Sequence, residues 1–243
     1  MYASFAKGYY RLMRDNDYEA YADYYEKIFE KYNLSPELVL DLGCGAGSLT
    51  SVMADRGYDM IGIDISEEML GIAKTENGKD GILYLCQDMR EFELYGTVDV
   101  IYSSLDCINY ITSKKDLKKV FDLCDNYLNP GGIMIFDLNT DCYFREILHG
   151  KTHVFEEEGV YLVWQSEYAG KKCSFYLDMF YEDDGSYTRF FEEQTERAYE
   201  KEDIENALKG TKLNLEVIYK NNSFKKATAK DHKICCILRK SCD

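Results

Sequence analysis

The chain has 243 residues, 46% hydrophobic and 30% charged, enough to bury a sizeable core and too apolar for a disordered chain. A formal charge of −15 argues against an extended phosphate-binding surface and would repel both nucleic acid and an anionic membrane leaflet, so neither is expected as a partner. Nine cysteines without a C-x-x-C pair speak against a zinc knuckle or redox dithiol, and the N-terminus has no apolar run of signal or spanning length. Reduced thiols in a cytoplasmic protein, no metal, and a monomer or homodimer acting on a small molecule are the expectations.

In chain order, residues 15–33 place Tyr18, Tyr21, Tyr25, Ile28, Phe29 and Tyr32 at helical spacing, closed by Leu34-Ser35-Pro36. LVLDLGCGAG (38–47) reads as a buried strand running into a glycine turn, and SLTSVMADRG as the helix after it, closed by Gly57. YDMIGID (58–64) is a second strand. SEEMLGIAKTE (66–76) is a helix with Ser66 as N-cap and Glu67 and Glu68 at its positive end. ILYLC (82–86) and VDVIYSS (98–104) are the third and fourth strands. Ser113 to Leu128 reads as a helix with Ser113 and Asp116 spaced as a capping box, NPGG (129–132) as a turn, and IMIFDL (133–138) as a fifth strand. This alternation predicts a parallel sheet with helices on both faces and right-handed crossovers.

Past residue 150 the pattern changes. HVFEEE, VYLVWQSEYAG, KCSFYLDMFYEDDG and SYTRFFEEQTERAY are extended, aromatic and partly alternating, with breaks at Gly159, Gly170 and Asp184-Gly185. They predict an antiparallel meander. A helix at 201–210 and the strands LNLEVIYK and HKICCILRK then complete the sheet. The expected organisation is a main domain at 1–150 and 198–243, with a helical lid at 1–35, and an inserted β subdomain at 151–197. The fold class is α/β: a Rossmann-like, mostly parallel seven-stranded sheet with helices on both faces, plus an inserted antiparallel β lid.

The chemistry-bearing signal is Asp41-Leu42-Gly43-Cys44-Gly45-Ala46-Gly47 directly after a buried strand. Glycines there let the backbone take positive φ and approach a ligand, and the following helix aims free N–H groups at the same place. The second strand ends at Asp64, whose carboxylate suits ribose hydroxyls. Asp88 and Met89 follow the third strand, one suited to an adenine amino group and the other to a ring face.

VLDLGCGAG, GIDIS, CQDM, VDVIYSSLDCINYI and LNPGGIMIFDLNT, in that order, resemble class I S-adenosylmethionine-dependent methyltransferases, and FAKGYYRLM is similar to a lead-in found in bacterial small-molecule members. There Tyr10 replaces an acidic residue. The resemblance implies S-adenosyl-L-methionine as cofactor. It carries the methionine part to Asp41, Gly43, Cys44 and Gly45, ribose to Asp64, adenine to Ile65, Met69, Asp88 and Met89, and the neighbourhood of the methyl to Ser104 and Leu105, with Tyr9 from the lid.

Methyl transfer is an in-line displacement, so positioning in a dry cavity counts for more than a strong acid or base. His149, His153 and His232 all lie outside the motifs, which leaves Asp106 or Tyr9 as candidate bases. Asn109, Tyr110, Asn139 and Trp164 are candidate substrate contacts. The meander aromatics Tyr168, Phe175, Tyr176, Phe180 and Tyr181 are expected to cover the pocket with Trp164, and aromatic faces suit a cationic amine. N-methylation of a small amine is the expected reaction. An NAD-dependent oxidoreductase and a non-catalytic S-adenosylmethionine-binding protein are the alternatives. The turn reads G-C-G-A-G, not G-x-G-x-x-G, which disfavours the former.

Overall fold

The computed structural model describes residues 5–242; residues 1–4, which the expected N-terminal lid included, and residue 243 lie outside the described residues. Two helices, α1 (Phe5–Met13) and α2 (Tyr18–Lys31), lead into β1 (Leu38–Leu42), α3 (Ser48–Asp55), β2 (Asp59–Asp64), α4 (Glu67–Glu76), β3 (Leu83–Cys86) and β4 (Val98–Ser103). A short 3-10 turn at Cys107–Tyr110 precedes α5 (Lys114–Tyr127) and β5 (Leu128–Asn139). A single α turn, α6 (Asp141–Tyr143), runs on into a π-helical turn at Phe144–Leu148. Then come β6 (Lys151–Glu157), β7 (Val160–Ala169), β8 (Lys172–Asp183), β9 (Ser186–Arg197), α7 (Lys201–Ala207), β10 (Leu213–Lys220) and β11 (Lys233–Lys240).

Seven strands form one sheet in the order β10-β11-β5-β4-β1-β2-β3. β11 runs antiparallel to both neighbours, while the β1–β2, β1–β4, β2–β3 and β4–β5 pairs are parallel. β6 to β9 form a separate antiparallel sheet in sequence order. This is the Rossmann-like arrangement with an added antiparallel sheet that the pattern predicts.

Near-continuous apolar strands are what a sheet covered on both faces requires. Leu40, Leu42, Ile101, Met134 and Phe136 face α5 and α7, packing with Phe121 and Ile204. Val39, Val100, Tyr102 and Ile135 face the other way, onto Ala22, Tyr25 and Ile28 of α2 and Met53 of α3. Thus α2 is a core helix of the main sheet and not part of a lid. An exposed cluster on its outer side fixes it to α3: Arg56 reaches Glu19, Asp23 and Glu26 at 2.5, 2.8 and 2.6 Å.

Local capping follows the sequence at Ser66, whose hydroxyl accepts the Met69 N–H at 3.2 Å. It departs at Ser113, whose side chain makes no capping bond; Asp116 turns instead to Lys119 at 2.7 Å, an ion pair one turn on. NPGG is also not a free turn. It enters β5 through a register shift against β4, with Gly131 at φ +80°.

Phe136 is fully buried and its ring lies 5.6 Å from that of Phe121. Phe136→Ala is expected to lower stability by about 3–5 kcal/mol through lost transfer energy and a cavity. Urea unfolding should show a lower midpoint with an unchanged slope.

Candidate active site

The strands β1, β2 and β4 end together on one edge of the main sheet, and the turns leaving them enclose a cavity of about 500 Å³. That volume is ordinary for a small-molecule site. Its floor is the glycine turn, where Gly43, Gly45 and Gly47 take φ of +89°, +54° and +72°. A Cβ on Gly43 would sit 2.9 Å from the Cys107 sulfur, so the turn also needs glycine for close approach.

The turn is hung on the end of β2. The Gly43 and Cys44 N–H groups both donate to the Ile63 carbonyl, at 2.8 and 2.9 Å. Asp64 accepts the Gly45 N–H on one carboxylate oxygen and the Ser66 N–H on the other, each at 2.8 Å. Gly47 stands at the N-cap of α3 and offers no side-chain cap, leaving a positive helix end beside the cavity-lining Ser48 and Leu49.

Asp41 lines the cavity, is 3% exposed, and accepts a hydrogen bond from Thr50 Oγ1 at 2.6 Å. Burial pushes its carboxyl up to about 7; the Thr50 bond opposes this and the Asp64 charge adds to it. Burial also raises Asp64, against its two backbone donors. Asp88 lies lower than usual because Arg90 folds back onto it, Nε reaching both carboxylate oxygens at 2.8 and 2.9 Å.

Of the residues the sequence marked, Tyr9, Asp41, Gly43, Cys44, Gly45, Asp64, Ile65, Met69, Asp88, Met89, Ser104, Leu105 and Tyr110 all line this one cavity. Four others do not. Asn109 is fully buried behind it: its amide donates to the Asn139 and Arg197 carbonyls at 3.0 and 2.8 Å and accepts the Asn139 N–H at 2.9 Å. Asn139 completes that knot by donating to Glu196 at 3.2 Å. Asp106 is turned away into an ion pair with Lys233 at 2.7 Å, which uses up the charge a base would need. Trp164 packs inside the second sheet, edge-on to Phe175 at 5.1 Å, because its position in β7 points toward the sheet's own core.

Tyr168, Phe175, Tyr176, Phe180 and Tyr181 also stand off the cavity; the second sheet acts at one remove. Its inner face backs α1, where a Cβ on Gly8 would lie 2.2 Å from the Met179 sulfur and Arg11 sits 4.7 Å over the Tyr181 ring. α1 then presents Phe5, Tyr9, Tyr10 and Met13 to the cavity. Among the described residues of the second sheet, Glu192 and Gln194 reach it. A signal for them exists in the sequence: Glu192, Gln194 and Glu196 alternate along β9 and pair with Leu177, Phe175 and Cys173, the buried face of β8.

Comparison with known proteins agrees with this geometry. A methyltransferase-domain family profile matches residues 39–132. The Bacillus subtilis (strain 168) protein YqeM, named as a methyltransferase, is 31% identical over 213 residues, 86% of this chain and 85% of its own. The chain belongs to the class I S-adenosylmethionine-dependent methyltransferases. A crystal structure of a member from Clostridium acetobutylicum ATCC 824 superposes with a TM-score of 0.87 at 32% identity, covering 98% of each chain. S-adenosylmethionine-bound CalS10, an amino pentose methyltransferase from Micromonospora echinaspora, shares the fold with a TM-score of 0.75 at 19% identity, over 99% of this chain and 98% of its own. As a methyltransferase of this family the protein uses S-adenosylmethionine. Among the described residues no helix is long and apolar enough to cross a membrane.

Asp41 yields a pH test. Its folded value of about 7 lies above the ordinary 3.8, so the fold prefers the protonated form. The stability it contributes is complete below about pH 4 and is lost as pH rises to about 7. The urea midpoint of Asp41→Asn minus that of wild type should therefore climb across pH 4 to 7 and level off above. A flat difference would show that Asp41 titrates as an ordinary carboxylate.

Proposed function

We propose that this methyltransferase N-methylates a small amine, and that the cofactor lies along the glycine turn with its adenosine toward β2 and β3. The α3 N-terminus and the Gly43–Gly45 turn suit the carboxylate of the methionine part, and Asp41 its ammonium. Cys44 lies in that same turn. Asp64 has lone pairs beyond its two backbone donors for ribose hydroxyls. Ile65, an apolar side chain left 66% exposed at the cavity, would be covered by an adenine ring together with Met69, with Met89 at its other side and Asp88 at its amino edge. Ser104 and Leu105 would flank the transferable methyl, and Tyr9 would close over it from α1. The bound cofactor supplies an electrophilic methyl on a sulfonium sulfur.

One observation carries the amine reading. Glu192 lines the cavity wall, half-buried, and no Lys or Arg pairs with it among the described residues. Its position is held by a relay in which the Tyr110 hydroxyl donates to Gln194 Oε1 at 3.1 Å and Gln194 Nε2 donates to Glu192 Oε2 at 3.0 Å. A half-buried carboxylate without a counter-ion favours a cationic ligand. Glu192 would bind the substrate ammonium and take its proton at Oε1, freeing the nitrogen lone pair. Attack of the freed nitrogen on the methyl leaves a methylated ammonium, which Glu192 faces as a carboxylate again once its proton has passed to solvent. Tyr9, Tyr10 and Tyr110 exclude water around the reacting atoms. The amino-sugar substrate class named for CalS10, which shares the fold, agrees with an amine acceptor.

The test is transfer of radiolabelled methyl from S-adenosylmethionine to a panel of amino sugars and simple amines, alongside catechols as hydroxyl acceptors. Label in an amine is the expected outcome. Glu192→Gln should then lower kcat/KM by about tenfold or more while leaving cofactor affinity unchanged, since one charge-assisted contact in a dry site is removed. Transfer only to catechols, undiminished in Glu192→Gln, would overturn the amine assignment.

A further inference from the structure

Outside the cavity, three donor side chains of different chemistry meet where the main sheet hands over to the second one. Cys142 and Glu146 lie four residues apart on the helical segment after β5, which puts them on one face. His232 comes from the turn that leads into β11, distant in sequence and adjacent in space. The Cys142 sulfur, a Glu146 carboxylate oxygen and a His232 ring nitrogen all lie within 4.8 Å of one another. We propose that Cys142, Glu146 and His232 form a binding site for a single divalent zinc-type cation, with water in the fourth position.

The donor set selects the ion. A thiolate and an imidazole suit zinc and its transition-metal neighbours, whereas magnesium and calcium take oxygen ligands. Two anionic ligands and a neutral imidazole balance a charge of +2. Tetrahedral zinc with bonds of about 2.0–2.3 Å places its ligand atoms roughly 3.5 Å apart, so the three donors need to close by little more than an ångström.

The framework is already braced. Thr140 N–H donates to the His232 carbonyl at 3.0 Å, and Thr140 Oγ1 donates to the Asp231 carbonyl at 2.8 Å. The Cys142 thiol points at the Lys230 carbonyl at 3.8 Å. The His232 ring packs against Tyr143 with centroids 6.0 Å apart, and makes no hydrogen bond among the described residues. Cys142 is buried and fixed, while Glu146 and His232 are exposed and free to turn toward it. Among the described residues the one ion pair of the Glu146 carboxylate is with the exposed Arg145, at 3.6 Å, which is held mainly by Asp141, while the Lys151 ammonium donates to the Glu146 carbonyl at 2.7 Å.

A cation here would cross-link the segment entering the second sheet to the start of β11. It would sit one residue from Lys233, whose ammonium pairs with Asp106 and Asp137 behind the cavity loop. The site therefore braces the scaffold and touches no reacting atom.

The experiment is titration of the chelator-stripped full chain with zinc chloride against a chromophoric chelator, and with cobalt(II) as a spectroscopic probe. One equivalent per chain, a thiolate-to-cobalt charge-transfer band and a raised melting temperature are expected. His232→Ala, an exposed change that leaves the core intact, should weaken zinc binding at least about tenfold, and Cys142→Ser should abolish the charge-transfer band. Absence of stoichiometric binding overturns the site. So does binding unchanged in His232→Ala, which would assign the metal to other thiols such as the exposed Cys86 and Cys242.

Discussion

The cavity exists because one carboxylate holds two chain segments together. Parallel strands end with unpaired backbone groups, and at the ends of β1 and β2 these groups find each other only through Ile63 and Asp64. Asp64 takes the Gly45 N–H from one turn and the Ser66 N–H from the next. Ser66 in turn caps α4 by accepting from Met69. The glycine turn, the end of β2 and the start of α4 thus form one hydrogen-bonded unit. Its outer side is the cavity floor, and its inner side buries Asp41 without a cation. A carboxylate in that position favours a ligand that brings positive charge.

The opposite wall rests on a second carboxylate. Leu105 and Asp106 both take left-handed backbone, at φ +57° and +59°, which costs non-glycine residues about 1–3 kcal/mol each. Their N–H groups converge on Asp137, at 3.1 and 2.5 Å. Burial works against the charge on Lys233, but Asp137 and Asp106 outweigh it and hold its pKa above the usual lysine range. The strain is localised where Ser104, Leu105 and Cys107 meet the cavity, and the ion cluster on the far side over-determines it. Breaking one member would leave a buried charge unpaired, a far larger effect than the pair's own net contribution.

The added antiparallel sheet serves the cavity indirectly. Its apolar face supports α1, and α1 closes the cavity. Asn109 joins the loop after β4 to both β5 and β9, so the second sheet and the cofactor-side loop share one buried amide. Among the described residues of that sheet, Glu192 and Gln194 of β9 reach through. The residues that reach the cavity and those that support the closing helix therefore belong to one strand pair.

The sequence by itself determined the sheet, its two covered faces, the glycine turn and the acids at the ends of β1 and β2 and after β3. These are local signals: an apolar run has one way to be buried on both faces, and glycines after it mark the turn. Thirteen of the seventeen residues singled out line one cavity for the same reason, since strand ends in a parallel sheet converge on one edge. Only the tertiary structure decided the rest. Asp106, Asn109 and Asn139 look like polar loop residues, and their partners Lys233, Arg197 and Glu196 lie 57 to 127 residues away. Trp164 has the composition of a substrate contact, but pleat direction turns it into its own sheet. The alternation of Glu192, Gln194 and Glu196 puts them on one face of β9, but only the packing of sheet on helix brings Glu192 to the cavity.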